Sequence, residues 1–247
     1  YNALKEGLTI FEEEGFSTYI DPDGYYGYAE IGEGKETFGI LCHLDVVPAG
    51  DLNLWKSPAF EGTIIDNNIV GRGVQDDKGP TIAALYSVKA LLEAGVTFNK
   101  KIRFIFGTDE ENLWRCMEEY HKKEQPVDIG IAPDANFPVI YAEKGLLQVY
   151  LTGEGSTDFT LQGGSALNVV ADSATYSGDK LEEATKQLDQ LNYAYEVKNN
   201  QLVVKGRSIH SKDAPDGVNA NTRLAEVLTT LYDHSGLDFL GNLVKDD

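Results

Sequence analysis

The chain has 247 residues, 42% of them hydrophobic and 25% charged, a globular composition with material for one large or two small domains. Its formal net charge of -19 argues against a nucleic-acid partner, whose phosphates need Lys and Arg, and suits a protein that holds cations. Only two cysteines, no apolar run near the ~18 residues of a membrane span and no signal-peptide pattern point to the cytoplasm and away from a membrane.

The opening "YNALKEGLTIFEEEGF" reads as a helix entered partway. "FSTYI" and "YYGYAEIG" flank the turn signal "DPDG" and read as a hairpin. "TFGILCHLD" is a buried strand, and "GTIIDNNIVGRG" two short strands around Asn67-Asn68. A helix begins near Pro80, with Ile82, Leu85, Val88, Leu91 and Leu92 at helical spacing and Gly95 as its stop. "KKIRFIFGTDEE" is an apolar strand ending in acids, "ENLWRCMEEYHKKE" a short helix, and "VDIGIAPDANF" another apolar strand ending in an acid. This alternation of strand and helix predicts an α/β fold with a mixed, largely parallel sheet flanked by helices.

Near residue 147 the pattern changes. "LLQVYLTG" and "LNVVADSATYSG" read as strands, "DKLEEATKQLDQLN" as a helix, "YAYEVK", Asn199-Asn200 and "QLVVKGRSIHS" as a hairpin, and "NTRLAEVLTTLYDH" as a helix. The expected division is a domain over 1–146 and a smaller α+β domain over 147–247.

Strand ends carry residues suited to metals: His43 with Asp45, Glu110 with Glu111, and Asp134. Asp76-Asp77 stands just before a helix. Open α/β sheets bind ligands at the carboxyl ends of their strands, so four motifs distant in sequence are expected on one rim. His43 and Asp45, two apart, share a face, and a carboxylate beside an imidazole ligand orients it. Crowded carboxylates need a compensating cation, and mixed His and carboxylate donors suit zinc, manganese or cobalt better than calcium. Two such ions sharing a carboxylate and a water make a hydrolytic centre. Cys42 reads as core, Cys116 as a helix residue without a CxxC partner, His121 as part of a solvated helix face and His234 as a helix-end residue.

"HLDVVPAGD", "GRGVQDDKGP", "GTDEE" and "PDANFPVIYAEKG" resemble the co-catalytic zinc peptidase family of aminoacylase, carnosinase and carboxypeptidase G, and within it the PepV-type (Xaa-His) dipeptidase branch. The resemblance implies a catalytic domain with an inserted lid, two zinc ions per full-length enzyme, and hydrolysis of dipeptides or short peptides by a metal-bridging water. It implies His43 and Asp134 as ligands of the first zinc, Asp76 as the bridge, Glu111 as ligand of the second, Asp45 as the clamp on His43 and Glu110 as general base. In the lid, "GRSIHSKDAPDGVNAN" implies that His210 stabilises the oxyanion, and "LNVVADSA" that Asn168 lies near the substrate. Sister activities in the family are N-acyl amino acid deacylation and carboxypeptidase action. Family members are longer and supply a last histidine to the second zinc after the lid. The chain is therefore expected to be a truncated form that holds metal incompletely and does not turn over alone.

Overall fold

The computed structural model describes residues 1–50, 52–143, 145, 147–164 and 166–243. The chain divides into two compact units, Tyr1–Glu143 and Lys144–Asp247.

In the first unit, helix α1 (Asn2–Glu13) buries Leu4, Leu8 and Phe11, one face at helical spacing. Strands β1 (Ser17–Ile20) and β2 (Tyr26–Ile31) form the expected hairpin. Its turn is held by buried Asp21, which accepts a 2.7 Å hydrogen bond from Lys123 Nζ. Then come β3 (Thr37–His43), β4 (Thr63–Ile65), β5 (Asn68–Val70), α2 (Gly79–Glu93), β6 (Lys101–Gly107), α3 (Arg115–Lys123) and β7 (Ile129–Ile131). The main sheet runs β1-β2-β6-β3-β7. It is mixed and partly parallel, as expected: β3 pairs in parallel with β6 and β7, while β1–β2 and β2–β6 are antiparallel.

Phe11, Phe16, Phe104 and Phe106 pack edge to face or tilted, with ring centroids 4.8 to 5.8 Å apart, between α1 and the sheet. On α2, Leu85 and Val88 are buried and Ile82 and Leu92 pack against the same core, but Leu91 is exposed. At the far edge, β7 is thin and open, with Ile129 56% and Ile131 54% exposed.

The β4–β5 turn falls one residue earlier than expected. Ile65 pairs with Asn68, so Asp66 and Asn67 form the loop, both at positive φ (48° and 62°), as a tight hairpin turn requires. The reading of Asn199-Asn200 as a turn holds, with φ of 49° and 60°.

The second unit holds β8 (Phe159–Gly163), β9 (Ser173–Gly178), α4 (Leu181–Leu191), β10 (Tyr195–Lys198), β11 (Gln201–Lys205), α5 (Ala220–Thr229) and α6 (Ser235–Leu243). Its antiparallel sheet runs β10-β11-β9-β8. Tyr176, Leu188, Leu202, Leu224 and Leu228 form its core under α4 and α5. The strand expected over "LLQVYLTG" is not formed: Leu146 lies outside the described residues, and 147–153 have no regular structure. Leu147 is 84% exposed there, and apolar, β-prone residues make no strand without a neighbour to satisfy their backbone groups. Of "LNVVADSATYSG", only Ser173–Gly178 is strand. Among the described residues no helix is long and apolar enough to cross a membrane.

Candidate metal centre

β3 lies between β6 and β7, so the ends of all three strands reach one rim. His43 closes β3 and is 2% exposed. The next residue, Leu44, turns into the core, and Asp45 turns back toward the imidazole. His43 Nδ1 lies 3.0 Å from the Asp45 carbonyl oxygen and 3.4 Å from its Oδ1. Nε2 therefore faces the acids: Asp76 Oδ1 at 2.8 Å, Asp134 Oδ2 at 3.4 Å and Glu110 Oε2 at 4.0 Å. Two sets of donor atoms lie within 4.8 Å of one another: His43 with Glu110 and Asp134, and His43 with Asp76 and Glu111.

Asp76 sits in a wide turn, Val74–Lys78, leading into α2. Its neighbour Asp77 turns the other way and is fully buried. Asp77 Oδ2 accepts from the His43 amide and from Thr81 Oγ1, both at 3.2 Å, so it ties α2 to the end of β3. Glu110 and Glu111 occupy the turn between β6 and α3 and donate their amides to Asp45, at 3.2 Å to Oδ1 and 3.1 Å to Oδ2 respectively. Asp109 was not singled out by the sequence reading. It is buried and holds Arg115 through Nε at 2.8 Å and a terminal guanidinium nitrogen at 2.7 Å, closing the same turn. The only hint was the arginine six residues on. His210 and Asn168 belong to the second unit. There His210 Nδ1 accepts from the Lys212 amide at 3.2 Å and caps a short turn, while the Asn168 carbonyl accepts from Ser211 N at 2.8 Å.

The electrostatics reflect crowded carboxylates. Burial pushes the Glu110 carboxyl up to about 7, with repulsion from Asp134, Glu111 and Asp45 acting against the pull of His43. Burial, then Asp76 and Asp77, push Asp134 up to about 6. Burial and Asp76 raise Glu111 as well. For His43, burial works downward, but Asp45, Glu110 and Asp76 outweigh it and lift the imidazole to about 10. Asp45 goes the other way. Burial would raise it, but His43 and the two amides hold it below the usual aspartate value. Carboxylates massed on one imidazole, several of them reluctant to ionise, are what a divalent cation would relieve, and the donor set suits zinc-like ions.

These shifts carry a sign. Without metal, the native protein retains protons that the unfolded chain releases: Asp134 between 3.8 and about 6, Glu110 between 4.5 and about 7, His43 between 6.5 and about 10. Their contribution to stability is full below each lower value and is lost as pH rises through the upper one. The melting temperature of the metal-free chain is therefore expected to fall as pH rises from about 5 to about 9, and saturating Zn²⁺ or Mn²⁺ to remove most of that fall. A metal-free melting temperature that is flat or rising over this window would count against the crowding.

A cavity of about 590 Å³ opens beside His43, Glu110 and Asp134, walled by Trp114, Met117 and Ile131. A mixed sheet with one histidine and three carboxylates beyond its strand ends, joined by Asp76 from the turn before α2 and set next to such a cavity, is the layout of a metallohydrolase. The chain belongs to peptidase family M20/M25/M40, whose family model matches residues 39–233. It is 39% identical over 258 aligned positions to "Putative dipeptidase YtjP" of Bacillus subtilis, covering 96% of this chain and 55% of that protein. It is 38% identical over 261 positions to a "Putative dipeptidase" of Staphylococcus epidermidis, again covering 96% and 55%. The chain thus spans about half the length of these relatives. Among solved structures it is similar to an M20 family metallo-carboxypeptidase from Sulfolobus solfataricus, at 28% identity and a TM-score of 0.47, over 53% of this chain and 32% of that one.

Proposed function

We propose that the protein carrying this chain hydrolyses the peptide bond of dipeptides or short peptides with a divalent metal, zinc first and manganese or cobalt as alternatives. The observation that carries this reading is the pair of donor sets that share His43, one with Glu110 and Asp134 and one with Asp76 and Glu111, each within 4.8 Å. His43, Asp76 and Asp134 would hold one ion, and Asp76 with Glu111 a second. Bound metal supplies the positive charge that acidifies a water and polarises the scissile carbonyl. Glu110, with its carboxyl near neutrality, takes the proton from the attacking water and delivers it to the leaving amine. Roles for His210 toward the oxyanion and for Asn168 toward the substrate rest on the resemblance of their segments.

The test is turnover with Zn²⁺ or Mn²⁺, in the 247-residue chain and in the full-length protein, on dipeptides, N-acetyl amino acids and carboxypeptidase substrates. Full-length activity on dipeptides, with metal binding but no turnover in the 247-residue chain, is the expected result. A preference for N-acetyl amino acids or longer peptides would move the protein to the deacylase or carboxypeptidase reading. The absence of turnover in either form would leave a metal-binding protein only.

A further inference from the structure

We propose that Arg115 is a positioning residue for the candidate site: closed on the buried Asp109 carboxylate, its guanidinium sets the turn that presents Glu110 and Glu111. The inference rests on reading Glu110 and Glu111 as the working pair, and its first measurement needs neither metal nor turnover.

Residues 108–114 lie between β6 and α3, and no strand ladder fixes them. Side chains hold the turn instead. At its start Thr108 Oγ1 donates at 2.6 Å to the Tyr25 carbonyl, in the β1–β2 turn. Toward the site, the Glu110 and Glu111 amides donate to Asp45. On the outer side the bonds converge on Asp109. Its Oδ2 accepts from the Arg115 amide at 3.1 Å and from Arg115 Nε at 2.8 Å, and its Oδ1 from a terminal guanidinium nitrogen at 2.7 Å. Its carbonyl accepts from Trp114 N at 2.9 Å.

Two features make Arg115 the member that decides. The Asp109 side chain is 9% exposed and that of Arg115 57%. The carboxylate is therefore the group that needs a partner, and the two-point fork of the guanidinium supplies charge and fixed orientation together. Trp114, the residue before Arg115, has a φ of 56°, a left-handed conformation that a bulky side chain adopts only where its surroundings hold it. That reversal brings Arg115 back over Asp109, and the ion pair closes it. One peptide bond joins Asp109 to Glu110. Without the fork the orientation of that peptide is no longer set, nor is the spacing of Glu110 and Glu111 from His43.

The experiment compares wild type, Arg115→Met and Arg115→Lys in the 247-residue chain, by amide hydrogen exchange and by calorimetric titration with Zn²⁺. In Arg115→Met the Glu110 and Glu111 amides are expected to exchange about tenfold faster or more, the scale of one lost hydrogen bond. Zn²⁺ affinity is expected to fall by about 10–100-fold, the usual cost of losing a partner outside the ligand shell. The sign discriminates, because removing a nearby positive charge without moving the turn would raise the affinity for a cation. Arg115→Lys keeps the charge but not the fork, and is expected to lie between wild type and Arg115→Met in both measurements. Unchanged exchange at Glu110 and Glu111, even where Trp114 and Arg115 speed up, overturns the proposal, as does a Zn²⁺ affinity that is unchanged or higher in Arg115→Met. If wild type binds no Zn²⁺, the metal reading fails and exchange at Glu110 and Glu111 alone decides for Arg115. If Arg115→Met does not fold, Arg115→Lys decides: faster exchange at the two amides supports the proposal, and wild-type exchange overturns it.

Discussion

Glu110→Gln in the full-length protein is expected to lower kcat by about 10²–10⁴-fold, the usual contribution of a positioned acid or base, while metal stays bound. Gln keeps the shape and the backbone hydrogen bond to Asp45 but cannot take a proton. Glu110 Oε2 stands 4.0 Å from His43 Nε2, farther than Asp76 at 2.8 Å and Asp134 at 3.4 Å. Glu111→Gln is expected to do the reverse and reduce metal content first. Metal lost from Glu110→Gln and retained in Glu111→Gln would exchange their roles.

The second large effect is expected at Asp76, and its neighbour supplies the control. Asp76 Oδ1 lies 2.8 Å from His43 Nε2, and its side chain is 57% exposed toward the rim. Asp77 is buried and spends Oδ2 on the His43 amide and Thr81. Asp76→Ala is expected to weaken metal binding by more than the 10–100-fold that changes outside the ligand shell cost, with little change in the metal-free melting temperature. Asp77→Ala is expected to destabilise the fold by about 1–3 kcal/mol, because a buried amide and hydroxyl lose their acceptor, with a smaller loss of metal affinity. Calorimetric titration with Zn²⁺ and thermal melts of both variants would show it. Equal metal affinity in the two would remove Asp76 from the ligand set.

The rim was legible because its chemistry is punctuated. His43, Glu110 and Asp134 each follow a short apolar run, and a polar group that ends such a run projects from the sheet edge. Helix α2 was legible from its apolar spacing, although Leu91 shows that a stripe read from periodicity can be wider than the surface that buries it. Helix α6 was missed: it is short and contains Gly236 and Gly241, poor helix formers. It forms because Leu237 and Leu240 pack on the second core, a tertiary fact without a local signal. Residues 147–153 failed the other way, with β-prone side chains and no ladder. The amide clamp of Asp45 was also invisible, because backbone donors leave no mark in the residue pattern. The HxD spacing suggested a side chain serving the histidine, and both the carbonyl and the carboxylate of Asp45 lie beside Nδ1, at 3.0 Å and 3.4 Å.

The open β7 edge has a consequence for how the chain behaves in solution. Ile129 and Ile131 leave a backbone edge and an apolar stripe available to another molecule. The formal charge of -19 opposes the approach of two copies, a repulsion that screens over about 10 Å at 0.1 M salt and about 3 Å at 1 M. That repulsion weakens with added salt and as pH falls toward the sequence isoelectric point near 4.5. Salt or acid would bring the edges together without unfolding either unit.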